Sequence, residues 1–194
     1  MPDYELQQLR NLFLRIKSQS PTATNLLSSM CMLDKQSIPA IVFFKEFDID
    51  QDAEAAMGIL IKSAIVKEYR HENVYVIDPS VQVAIRELVQ EMGDTDKAKE
   101  KALNLVWDYY TVCDDKEWDI SAAMEPHAQV VLSYNYDSPR SQLHQAWILN
   151  CTAQYAYDQG KLETAEEEIR RNINILSLHS DALNLDRRYS LSVS

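Results

Sequence analysis

The sequence predicts a mainly α protein with one short antiparallel β-hairpin near its middle. Apolar residues recur every three or four positions along most of the chain, the period that lines one face of a helix. Ser20-Pro21, Asp78-Pro79 and Ser138-Pro139 each pair a capping side chain with a residue suited to the first helical position. Only 3 glycines occur in 194 residues, too few for the tight turns of β-sandwiches and nucleotide-binding α/β folds.

Tyr4 to Lys17 is expected as an amphipathic helix burying Leu6, Leu9, Phe13 and Ile16. Ser18 to Ser20 breaks it. The next helix starts at Pro21 and buries Leu26, Leu27, Met30 and Cys31. After a polar turn at Asp34 to Ser37, Ile38-Pro39 is read as the start of a short helical piece through Phe43. Asp52 to Ser63 is a third helix, with Ala56, Met57, Leu60 and Ile61 toward the core and acidic residues at its positive end. Ala64 to Arg70 and Asn73 to Ile77 are β-rich runs joined by a polar tip. Pro79 to Met92 is the following helix, lined by Val81, Ile85, Leu88 and Met92 and ended by Gly93.

Lys97 to Val112 reads as helical, with Ala98, Ala102, Val106 and Tyr109 in register. An acidic loop precedes a helix from Asp119 to Leu132, where Pro126 predicts a kink. A long helix runs from Pro139 to Asp158, Gly160 turns the chain, and Lys161 to Leu176 returns, expected to bury Leu162, Ala165, Ile169 and Ile173. Leu183, Leu185, Tyr189 and Leu191 give the last stretch an apolar surface.

The formal net charge of −11 repels phosphate backbones and anionic lipid, which disfavours nucleic acid and membrane surfaces as partners. The three cysteines, Cys31, Cys113 and Cys151, are widely spaced and odd in number, and no secretory signal opens the chain. A reducing, cytoplasmic setting is the expectation. The hydrophobic share is 46%, ample for a core, yet no run reaches the length of a membrane span.

Helix, hairpin, helix is the ending of a winged-helix unit, and the wider sequence resembles the region that follows the nucleotide-binding domain in fungal NB-ARC (STAND, NOD-like) proteins. In that family a winged helix precedes tetratricopeptide (TPR) repeats, and its fourth helix carries Met-His-Arg-Leu-Val-Gln. Here the same place reads Ile77-Asp-Pro-Ser-Val-Gln82, followed by Val83-Ala-Ile-Arg86. Val81, Gln82 and the downstream Arg86 match; Asp78 stands at the histidine position. Pro21 to Met30 and Ile38-Pro39 resemble the entry helices. Ala56 to Ile61, then Ser63 to Ile65, resembles the third helix and first wing strand. Pro126-His-Ala-Gln-Val-Val-Leu132 is similar to a segment that precedes the repeats, and Ala153 to Glu166 resembles one repeat, with small residues at Ala153 and Ala165 and its turn at Gly160. The resemblance implies a winged-helix unit over residues 3–92, a TPR-like layer of antiparallel helices over 93–194, and a relay between a nucleotide switch and a sensor array.

Chemistry is sparse. No Gly-x-x-x-x-Gly-Lys-Ser/Thr exists, so phosphates lack the backbone cradle of an NTPase. The chain reads as a remnant or a fragment of a longer protein. Asp48, Asp50 and Asp52 begin like a calcium loop, but the sixth position is Ala53 and the twelfth Ile59, where glycine and glutamate are needed. Asp114, Asp115, Glu117 and Asp119 lack accompanying His or Cys ligands and read as a solvated loop. A thiol pair from Cys113 or Cys151 with His127 or His144 is weighed against core filler, and Trp107, Trp118 and Trp147 as groove lining against interhelical core. Neither supports a catalytic, metal or cofactor assignment.

The expected role is non-catalytic protein interaction. Leu183, Leu185, Tyr189 and Leu191 are the expected partner-binding residues, because a single repeat cannot cover its own apolar face. A protein partner, a second copy or a fold-back cap would cover it. Two alternatives stand beside this reading. One is DNA binding by the winged helix, opposed by Asp48, Asp50, Asp52 and Glu54 at the reading end of the third helix. The other is a small enzyme or ligand carrier with a pocket between the two modules.

Overall fold

In the computed structural model, residues 3–35, 37–43, 51–112 and 118–179 are described. They are mainly helical, as the periodicity predicts, with eight α-helices and a small antiparallel sheet among them. The chain divides into two compact units, Met1–Tyr134 and Asn135–Ser194.

In the first unit, α1 (Asp3–Gln19) buries Leu9, Phe13 and Ile16. It ends where Ser20 becomes the N-cap of α2 (Pro21–Cys31), its hydroxyl accepting from the Ala23 amide at 3.1 Å. α2 is the hub, packed against α1, α3 (Gln51–Lys62), α4 (Pro79–Glu91) and α5 (Thr95–Val112). Its Leu27 and Met30 are wholly enclosed, alongside Met57, Leu60, Ile85 and Leu103 from the surrounding helices. Burying each such side chain contributes roughly 1.5–3 kcal/mol. α6 (Trp118–Leu132) continues through Pro126 and packs on α5 and on the first strand.

The hairpin pairs β2 (Val66–Tyr69) with β3 (Val74–Ile77), in the register Val66 to Ile77 and Tyr69 to Val74. Asn73 takes the left-handed conformation at its tip, φ 54°, which asparagine tolerates because its side chain is short and polar. The hairpin is extended by a strand that the sequence reading places in a helical piece. Ile38–Pro39 forms β1 and pairs with β3, giving the order β1-β3-β2; a single 3-10 turn, Ala40–Val42, follows. Ile38 precedes a proline and is biased toward extended backbone. Its position against Tyr75 then uses the open edge of β3, and the Ala40 amide continues the ladder by donating to the Asn73 carbonyl at 2.9 Å.

α4 and α7 (Pro139–Asp158) end in the same way. Gly93 and Gly160 sit at φ +72° and +74°. The next amides, Asp94 and Lys161, donate back to the Val89 and Ala156 carbonyls at 3.1 and 2.9 Å. This six-to-one closure needs a left-handed residue, which glycine supplies without a Cβ penalty. α3 closes on Ala64 instead, at φ 59°.

The second unit is the α7–α8 hairpin, with α8 spanning Leu162–Leu178. α5 packs on α2 and α6 packs on α5, so both helices belong to the compact unit that ends at Tyr134.

Candidate interaction surface

α7 is opened by Ser138, whose hydroxyl accepts from the Ser141 amide at 3.1 Å, with Pro139 in the first turn. Its inner row includes Ser141, Gln145, Ile148, Leu149, Thr152 and Ala156, all buried. Steps of three and four relate these positions, with the adjacent Ile148 and Leu149 both facing the row, the spacing of a helix–helix seam. The Thr152 hydroxyl turns back to the Ile148 carbonyl at 3.1 Å, so its own proton is used within the helix.

α8 meets that seam with Ala165, Glu168 and Asn172. The Asn172 amide donates to the Ala146 carbonyl at 2.9 Å, crossing from one helix to the other. At the far end His179 Nε2 lies 2.6 Å from Gln142 Oε1, and the Gln142 amide donates to the Tyr136 carbonyl at 2.6 Å.

This register corrects the expected burial of α8. Ala165 is buried as expected, but Leu162, Ile169 and Ile173 point outward, 60%, 39% and 59% exposed. A small residue and an amide fill the close contact with α7, which rotates the larger apolar row to the other side. Leu162, Glu166, Ile169, Ile173 and Leu176 then form a second, outward seam with the same four–three spacing. Glu166 interrupts it, and its carboxylate is held by Arg170 at 2.6 Å. On α7, Trp147, Asn150, Gln154 and Tyr157 form an exposed row. A groove of about 340 Å³ runs between the helices, lined in part by Gln154, Tyr157, Leu162 and Ile169.

The residues expected to bind a partner, Leu183, Leu185, Tyr189 and Leu191, lie outside the described residues. The exposed row of α8 lies just before them. Its signal in the sequence was the pair of interleaved four–three patterns, one apolar and one small or polar.

The residues carrying the family resemblance do structural work in the first unit. Asp78 caps α4, accepting from the Ser80 amide at 2.8 Å and the Ser80 hydroxyl at 2.6 Å. Those hydrogen bonds hold its carboxyl below the usual aspartate range. One turn on, the buried Gln82 amide donates to the Leu33 carbonyl at 3.0 Å and the Cys31 carbonyl at 3.3 Å. Arg86 donates to the same two carbonyls, to Leu33 at 2.7 Å and to Cys31 through Nε. Tyr134 donates to the Met32 carbonyl at 2.9 Å. α4 and the end of the unit thus cap the carbonyls left open at the C-terminus of α2.

His127 closes the same loop, with Nε2 3.1 Å from the Ser37 carbonyl. A carbonyl only accepts, so Nε2 carries the proton and Nδ1 faces the interior without a hydrogen-bond partner among the described residues. Burial lowers the His127 pKa, opposed by the Ser37 bond and the charge of Asp34. Burial pushes the Cys31 thiol up to about 12, only partly countered by Arg86, so it is a protonated core group.

His127 and Cys151 fall in different compact units, while Cys113 lies outside the described residues. His144 and Cys151 are about two turns apart on α7, roughly 10 Å along the axis, too far for a thiol–imidazole bond. Asp48, Asp50 and the loop with Asp114, Asp115 and Glu117 also lie outside the described residues. Among the described residues, no three His, Cys, Asp or Glu side chains are grouped to hold a metal ion. None of their helices is long and apolar enough to cross a membrane.

No family model matches the chain, and no solved structure matches it. The chain is 27% identical over 166 residues to a nucleotide-binding leucine-rich repeat (NLR)-like protein of Hyaloscypha variabilis. That alignment covers 86% of this chain and 17% of the relative's length. The similarity supports an NLR/STAND-related origin.

Proposed function

We propose that the chain is a protein-interaction module of STAND type, with a winged-helix-like brace over residues 3–92 and a TPR-like layer over residues 93–194. Within that layer α5 and α6 pack on the elements of the brace, and the α7–α8 hairpin presents the docking face. The observation that carries the reading is the outward seam of Leu162, Ile169, Ile173 and Leu176. Transferring three or four such side chains out of water supplies several kcal/mol toward association, at roughly 1.5–3 kcal/mol for each one fully buried. The four–three spacing suits a facing helix, as in a coiled-coil seam. The helix–hairpin–helix order with β1 added to β3 supports the winged-helix part. Ala153 and Ala165 in the α7–α8 contact, with Gly160 at the turn, support the repeat part. The family resemblance and the NLR-like relative support a relay role beside a nucleotide-binding domain, and we place it in the cytoplasm on the resemblance alone.

Nucleic acid is the weaker reading. The first turn of α3 carries Asp52 and Glu54, and Arg70 at the wing is tied to Glu68 at 2.9 Å. Size-exclusion chromatography with light scattering tests the interaction reading. Self-association that rises with concentration, and its loss in Ile169→Glu/Ile173→Glu with unchanged helical circular dichroism, is the expected result. A wild-type chain that stays monomeric and elutes like the variant counts against the docking face.

A further inference from the structure

A second concavity lies in the first unit, where α1, α2, the end of α4 and the start of α5 converge. Its volume is about 260 Å³. In a chain of net charge −11, this place has the opposite balance: Lys17, Lys97 and Lys101 surround Asp94, the one carboxylate of its lining.

The three lysines are not equivalent. Lys17 lies 3.3 Å from the Asp94 carboxylate and 3.4 Å from the Met92 sulfur. Lys97 and Lys101 stand one turn apart on α5, so their side chains leave the helix on the same face. Among the described residues neither makes an ion pair or a hydrogen bond. Burial, and next the positive charge of Lys97, lower the pKa of Lys101, and the carboxylate of Asp94 only partly offsets them.

The other polar groups narrow the ligand. The Thr24 hydroxyl donates to the Ser20 carbonyl at 3.2 Å and the Ser28 hydroxyl to the Thr24 carbonyl at 2.8 Å, so the protons of both are already used. The Asn25 amide makes no hydrogen bond among the described residues and keeps its donors. Lysines act as point charges suited to the several oxygens of a phosphoryl group, whereas a planar carboxylate is matched by the fork of an arginine.

We infer that this cavity binds a small phosphoryl-bearing anion, with Lys97 and Lys101 as its charged contacts and the Asn25 amide as a neutral donor. Such a site differs from an NTPase cradle, because its contacts are side chains rather than loop amides.

Calorimetric titration of the whole chain with pyrophosphate, at ionic strength fixed with sodium chloride, tests this. Saturable binding is expected, weakened about tenfold or more in Lys97→Met/Lys101→Met, a loss equivalent to about 1.4 kcal/mol per decade. Asp94→Asn removes the competing carboxylate and releases Lys17, so it should tighten binding severalfold. That gain keeps the test readable even if the double lysine variant loses its helical circular dichroism, since misfolding does not tighten binding. No saturable binding by the wild-type chain at millimolar pyrophosphate, or unchanged affinity in Asp94→Asn, overturns the inference. Citrate bound as tightly as pyrophosphate at the same ionic strength overturns the phosphoryl assignment.

Discussion

Gln82 and Arg86 share two acceptors, and that sharing has a measurable consequence. Each donates to the Cys31 and Leu33 carbonyls at the end of α2. Gln82→Leu keeps the volume and leaves both carbonyls bonded to Arg86, so its cost is about 1 kcal/mol, the net worth of a neutral hydrogen bond. Arg86→Met removes charge-assisted bonds but leaves the Gln82 amide in place, a cost of about 1.5–3 kcal/mol. The double variant strips both carbonyls of these donors, and an unsatisfied buried group costs about 1–3 kcal/mol. The combined loss should therefore exceed the sum of the single losses by about 1 kcal/mol or more. Urea unfolding of the four chains, followed by tryptophan fluorescence, reads this coupling directly. Additivity within about 0.5 kcal/mol, the behaviour of independent sites, would refute the shared clamp.

Two further outcomes follow from single positions. Ala64 is exposed and sits at φ 59° where α3 ends, so Ala64→Gly should raise stability by about 0.5–1 kcal/mol in the same urea assay; a loss would contradict the strain assigned there. His127 is neutral in the fold, and its pKa is lowered from 6.5 mainly by burial. The unfolded chain therefore binds the extra proton first, and the stabilisation from the neutral ring is present above pH 6.5 and lost as pH falls through and below it. His127→Gln should lose less stability than the wild-type chain between pH 7.5 and 5.5, and an equal or larger loss would place the acid sensitivity elsewhere.

Where the sequence was readable, it was readable for local reasons. Ser20-Pro21, Asp78-Pro79 and Ser138-Pro139 mark three helix starts, since a cap and a proline act within one turn. Gly93 and Gly160 mark two helix ends by their backbone freedom. β1 was missed because two residues carry no alternation of their own, and their strand character comes from the edge of β3. The outward turn of α8 was missed for a related reason. Its larger apolar row looks like the core row until Ala165 and Asn172 are seen to allow closer approach to α7. The roles of Gln82 and Arg86 depend on carbonyls about fifty residues away, which no spacing rule reveals.

On the proposed reading, association uses the outer face of the α7–α8 hairpin and leaves the helices of the first unit uncovered. Amide hydrogen exchange at low and high protein concentration tests it most directly. Protection should rise with concentration along residues 147–178 and stay unchanged along 51–112. Concentration-dependent protection confined to the first unit, or none anywhere, would contradict it.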